Sequence, residues 1–168
     1  MQVLGKLLSG EVVVDRRNSH LRENAARYLP DALAQIHSRG RTFIAEEVDF
    51  GQPIGKTICV RTNGSDEIVW AWRKNRPADW TRFVKNREPE KCSSLMVILM
   101  ANREAETPGQ MVLISAFIGR RAEPEPWDRN ASERSFAFWE SHALVWGYEE
   151  TVRGTETKVC PWTVKINI

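Results

Sequence analysis

The spacing of apolar and polar positions changes period several times along the chain, and each change marks an element. Near the amino end, Val3, Leu4, Leu7 and Leu8, then the run Val12, Val13 and Val14, predict a short strand or hairpin that Gly5 and Gly10 interrupt. From Ser19 the spacing turns helical. Ser19 can cap, and Leu21, Ala25, Tyr28, Leu29, Leu33 and Ile36 recur at steps of three and four until Gly40. Pro30 lies inside this run, so the pattern predicts a kink or two helices with Pro30 in the first turn of the second.

Beyond Gly40 the period shortens to two. Residues 42–48, 56–62 and 67–73 read as antiparallel strands, with Asn63-Gly64 as a tight hairpin turn between the last two. Residues 95–100 and 110–118 are almost wholly apolar and flank Pro108-Gly109, which predicts a buried central hairpin. Further on, Asn130 can cap a helix with Glu133 three residues later. Phe136, Phe138, Trp139, His142, Val145 and Trp146 populate that predicted helix up to Gly147. Residues 151–168 alternate Val, Trp and Ile with Lys and Thr, as a last edge strand would. The expected class is α+β. Amino-terminal helices pack on an antiparallel sheet of four or more strands, and an aromatic helix is added at the carboxy end.

Composition narrows this further. At 168 residues with 42% hydrophobic and 27% charged content, one well-buried core is the expectation, with a single domain over residues 1–168, a core of about 19–119 and an extension of about 120–168. No run approaches the roughly 18 apolar residues of a bilayer-spanning helix, and no signal pattern opens the chain, so a cytoplasmic protein without membrane contact is expected. Cys59, Cys92 and Cys160 form no Cys-x-x-Cys pair and read as reduced thiols, with no metal and no cofactor expected. Net charge is only +2, but Arg73, Lys74, Arg76, Arg82, Lys85, Arg87 and Lys91 crowd residues 73–91 against Asp79, Glu88 and Glu90. Residues 123–150 are richer in carboxylates. The asymmetry predicts a basic face.

Over residues 70–77 and 81–87, cations are interleaved with Trp70, Trp72 and Phe83, a mixture suited to holding phosphates and stacking bases. Long side chains covering a solvated edge would give the same pattern. Three histidines can move protons. His142 lies among aromatics on its predicted helix, His20 sits at a helix start, and His37 sits in a last helical turn. Ser115 interrupts an apolar strand and needs a partner, which a phosphate in an open cleft would supply. Glu46, Glu47, Asp49, Asp66 and Glu67 are the acidic residues with some claim on a metal, and a solvated face explains them more simply. Phosphate-loop, dinucleotide-turn and zinc-protease motifs do not occur in the sequence.

The stretch Thr81-Arg82-Phe83-Val84-Lys85-Asn86-Arg87, the strand Leu113-Ile114-Ser115-Ala116-Phe117 and Phe138-Trp139-Glu140-Ser141-His142-Ala143-Leu144, taken in that order, resemble phage- and toxin-associated members of the barnase, EndoU, colicin and RelE-like ribonuclease superfamily. The resemblance spans about residues 19–119. It implies a helical region packed on a four-stranded antiparallel sheet, with histidine, basic residues and a late-strand serine on the open face. The resulting expectation is an endoribonuclease that needs no metal, cleaving RNA by attack of the ribose 2′-hydroxyl to leave a cyclic phosphate. His142, or in second place His20, moves the proton, Arg82, Lys85 and Arg87 hold the phosphorane charge, and Ser115 orients a phosphate oxygen. Arg73, Arg87, Trp72, Phe83 and Trp139 are the expected substrate contacts. An inhibitor protein would accompany a toxin. The rival expectation is a non-catalytic module binding RNA through residues 73–91, or a protein through Trp127, Trp139 and Trp146.

Overall fold

The computed structural model describes residues 2–7, 9–15, 19–106 and 108–162. Of these described residues 41% are strand and 12% helix, the latter in three short helices, which overturns the α+β expectation of amino-terminal helices packed on one sheet. The chain forms two compact units, each with its own core. One takes residues 1–56 and 91–121, the other residues 57–90 and 122–168.

In the first unit, β1 (Gln2–Leu7) and β2 (Gly10–Val14) form the antiparallel hairpin that the amino-terminal pattern predicts. β2 then runs parallel to β11 (Met111–Ile118), which pairs antiparallel with β10 (Ser94–Ala101), and β10 with β4 (Phe43–Asp49). The run from residue 19 does not make one long helix. His20–Leu21 becomes a two-residue strand, β3, against β11, because the Ser19 hydroxyl donates to the Leu113 carbonyl rather than capping a helix. Only α1 (Glu23–Ala26) and α2 (Leu29–Leu33) remain helical, with Pro30 in the first turn of α2 as expected. Ala25, Leu29, Leu33 and Ile36 pack against Ile44, Leu95, Val97, Leu99, Leu113 and Ala116 on one face of the sheet. β10 lies between two other strands and takes the apolar sequence a central strand needs.

In the second unit, β6 (Cys59–Arg61), β7 (Ile68–Arg73), β8 (Arg76–Val84), α3 (Glu133–Ser141) and β12 (His142–Val145) give a sheet of order β6-β12-β8-β7. β5 (Gly55–Thr57) and β9 (Glu90–Cys92), whose residues divide between the two units, form a separate ribbon. Three expectations fail here. α3 is capped by Ser132 with a reciprocal bond to Ser135, not by Asn130, and it ends at Ser141 where a helix up to Gly147 was expected. Ala143 and Val145 are fully buried in the strand that follows, where the β-preferring Val145 is at ease. The Asn63-Gly64 hairpin does not form either. Asn63 makes a local side-chain turn to Ser65, and β12 rather than β7 lies beside β6. The last edge strand expected over residues 151–168 does not form in its described part, 151–162, where Thr151 and Thr157 make only single bridges to Arg73 and Trp70 on β7; residues 163–168 lie outside the described residues.

Gly10 and Gly109 touch backbone to backbone in the first unit, and a Cβ on Gly109 would meet the Ser9 carbonyl at 2.9 Å with φ at +88°. Gly109→Ala therefore combines strain with a clash that no flexible side chain can relieve. Urea unfolding is expected to show a loss of about 1–3 kcal/mol.

Candidate active site in the tryptophan-rich unit

All seven tryptophans belong to the second unit. Strand alternation sorts its side chains between two faces. Thr81 and Phe83 of β8 lie on one face with Val69, Ala71, Leu144 and Trp139, and Arg82 and Val84 lie on the other with Ala143 and Val145. His142 is two residues before Leu144 and falls on the Phe83 face. Arg82 therefore points away from the imidazole it was expected to assist. Its Nη1 donates to Thr62 Oγ1 and to the His142 carbonyl, each at 3.0 Å, and its guanidinium lies 5.9 Å from the centre of the Trp70 ring. Burial pulls its pKa down, and Cys160, Asp66 and Glu140 pull it back up.

Most of the basic stretch is neutralised inside the unit. Arg73 pairs with Glu125 at 2.7 Å, Lys74 with Glu150 at 3.8 Å, Lys85 with Glu156 at 3.2 Å, and Arg87 with Asp66 at 3.1 Å as well as with Glu90. Lys85 also covers the Trp146 ring at 4.8 Å, and Arg76 covers Trp127 at 5.5 Å. Two carboxylates of the acidic segment 123–150, Glu125 and Glu150, are thus partners of the cations, brought beside the β7–β8 hairpin by the fold. Trp139 and Phe83 are core residues at 3% and 0% exposure, so neither can stack on a base, while Trp72 is half-buried and packs edge-on against Trp80. The Trp139 indole donates to the Glu123 carbonyl and ties α3 to the preceding loop.

His142 is half-buried and held on two sides. Its ring stacks flat on Phe138 at 4.0 Å and 3°, and its Nδ1 lies 3.0 Å from the Phe138 carbonyl and 3.0 Å from Ser141 Oγ. A carbonyl only accepts, so Nδ1 donates a proton to it, and in the neutral ring Nε2 then keeps the lone pair, for which no described residue is a partner. Arg61, the Cα partner of His142 across β6, is exposed on the same face. Strand register brings these two together, and nothing in the spacing of residues 61 and 142 could have paired them before β12 was known to be a strand.

A second cluster lies on that face. Glu125 (8% exposed) reaches Arg73 beside Thr81 (0%), and Arg73 Nε, Glu125 Oε1, Thr81 Oγ1 and Trp127 Nε1 are buried without a hydrogen-bond partner of good geometry. Thr81 and Arg76 still favour the Glu125 carboxylate electrostatically. Burial raises the Glu125 pKa and outweighs Arg73, whose charge lowers it. Burial also pushes the Cys59 thiol up to about 11, with the charge of Glu125 adding to the shift.

Ser115 and His20 belong to the first unit, where they are partners across β11 and β3, so those two expected residues are neighbours. They share no unit with His142, Arg82 and Lys85. Among the described residues no three His, Cys, Asp or Glu side chains gather as a metal site. Of the acidic residues considered for one, Asp66 holds Arg87, Glu46 holds Arg41 and Glu47 holds Arg120. The Gly51 amide and Ser93 keep the Asp49 carboxyl below its ordinary pKa. Among the described residues no helix is long and apolar enough to cross a membrane. No protein-family model, curated protein or solved structure matches the chain.

Two outcomes are expected. A group whose folded pKa is raised stabilises the fold below its unfolded value, and that contribution is lost as pH climbs through the folded value. With 4.5 as the ordinary value of Glu125, the protein should lose stability relative to Glu125→Gln as pH rises from about 4 upward, followed by denaturant midpoints. In native protein at pH 8 a thiol reagent should label exposed Cys160 readily, with Cys59 and buried Cys92 reacting only on unfolding.

Proposed function

We propose that the chain is an endoribonuclease whose proton acceptor is His142 and whose phosphate ligand is Arg61. The reading rests on the fixed tautomer. The Phe138 carbonyl holds the Nδ1 proton, stacking on Phe138 stops the ring from turning, and Nε2 is free to accept. A general base must present its lone pair at a set angle, and such an orienting bond supplies it. In the step proposed, Nε2 takes the 2′-hydroxyl proton as O2′ bonds to phosphorus. The bond from phosphorus to O5′ then breaks and O5′ leaves with a proton from solvent, giving a 2′,3′-cyclic phosphate. Arg61 neutralises the non-bridging oxygens, which gain charge in the transition state. Arg82, Arg87 and Lys85, already engaged inside the unit, hold the sheet that carries the histidine. No protein nucleophile is needed.

A second reading draws on a different observation. Trp70, Trp72, Trp80 and Trp162 are all partly exposed and lie in edge-on contact, Trp70 with Trp162 and Trp72 with Trp80. That arrangement suits a module that binds RNA or a protein without cleaving. Quenching of tryptophan fluorescence by RNA that stays intact would select it.

Purified chain in excess chelator should cut single-stranded RNA to products ending in cyclic phosphate, and a 2′-deoxy substitution at the scissile nucleotide should block the cut. His142→Gln is expected to reduce the rate by about 10²–10⁴-fold with the far-ultraviolet circular dichroism unchanged. RNA left intact by folded wild-type chain, or cleaved equally by His142→Gln, overturns the assignment.

A further inference from the structure

We propose that the turn between α2 and β4, in the first unit, binds a phosphate group. Gln35, His37, Arg39, Arg41 and Glu46 line an open depression of about 480 Å³. Its donors are oriented before any ligand arrives. His37 Nδ1 accepts from the Arg39 amide at 2.8 Å, which puts the ring proton on Nε2, facing outward. Arg41 is braced from behind. Its Nε donates to the Ser38 carbonyl at 3.1 Å and its Nη2 to the His37 carbonyl at 3.0 Å and to Glu46 at 2.5 Å. These bonds leave Nη1 of Arg41 and the whole guanidinium of Arg39 without a partner among the described residues. His37, Arg39 and Arg41 are all exposed. Ser9 Oγ accepts from the Ser38 amide at 2.9 Å and pins the turn to the β1–β2 hairpin.

The backbone supplies an independent observation. Arg39 is the one non-glycine residue with positive φ among the described residues, at +50°, and Gly40 follows at +74°. Glycine adopts that conformation at no steric cost, and an arginine there is strained. A turn that needed only its shape would do better with glycine at both positions. Arginine at the strained position puts a guanidinium beside the His37 and Arg41 donors. Three donors of two kinds around a concave surface match the several oxygens of a phosphate, which guanidinium binds two at a time. Glu46 is the opposing charge at the rim. It is held on Arg41 and weakens, without cancelling, the pull on an anion.

The site shares no residue with the histidine assigned to cleavage, so each assignment can fail alone. The probes are inorganic phosphate and a 5′-mononucleotide, titrated calorimetrically into the full chain with sulfate and chloride as competitors. Saturable phosphate binding at millimolar concentration or below is expected, displaced by sulfate and not by chloride. Arg39→Gly should weaken it at least tenfold while the melting temperature holds or rises, a combination that a merely structural arginine would not give. Glu46→Gln should tighten it. A mononucleotide that binds more tightly than phosphate identifies the source as a nucleotide, and equal affinity identifies the free phosphate group. Absence of saturation at millimolar phosphate, chloride competing as well as sulfate, or an Arg39→Gly chain that binds like wild type would each overturn the proposal. RNA cleavage by Arg39→Gly should remain at the wild-type rate.

Discussion

The second unit depends on four residues, His142–Val145, lying as a strand between two others. β12 runs antiparallel to β6 and parallel to β8, so it supplies the ladder that neither neighbour could find elsewhere. Ala143 and Val145 then close a small apolar cluster with Val60 and Val84, while Leu144 joins Phe83 and Trp139 on the opposite side. One alternating segment thus seals both faces. It also fixes where the histidine goes, because the helix–strand junction stacks the ring on Phe138 one turn back and brings Arg61 alongside.

Charge is organised around the same sheet. Arg73 at the end of β7, Lys74 in the turn after it and Lys85 just past β8 find carboxylates from residues 123–156, and each pair ties the hairpin to a segment that has little regular structure of its own. The exposed pairs contribute little, about 0–1 kcal/mol each. Arg73 with Glu125 is different in kind. Both are largely desolvated, so removing either partner would leave a buried charge unanswered, at roughly 3–5 kcal/mol. The loop through Pro124, Glu125 and Pro126 is therefore anchored by an interaction whose cost of disruption is high even if its net gain is small.

Strong local signals were readable from the chain. The amino-terminal hairpin, β4, β7 and the β10–β11 hairpin follow from runs whose period and turn residues agree. Pro30 marked the start of α2. Reading failed where a distant partner overrode local preference. Residues 142–146 have a helical spacing of aromatics that continues α3, and only the gap between β6 and β8 makes a strand the better state. Asn63-Gly64 is a good tight turn, but β6 finds its neighbour in β12 rather than in the strand that follows it. The basic stretch read as a phosphate-binding surface because its carboxylate partners are about 50–75 residues away in sequence. For the same reason Arg61 carries no signal in the sequence, whereas His142 stands out as a candidate because its aromatic neighbours are local.

The two units interleave along the chain, and this matters during synthesis. β4 emerges from the ribosome with Phe43, Ile44 and Val48 ready to pair, yet its partner β10 begins at Ser94. At roughly 5–20 residues per second the intervening stretch takes about 2–9 seconds to make. Throughout that delay a β-prone apolar segment waits with both backbone edges open, beside α2 residues that have no sheet to cover. The β7–β8 hairpin is complete before β10 exists and can form locally in the meantime. A nascent chain of this design carries an unpaired β-prone segment through mid-translation, the interval in which its edge is most open to wrong pairing.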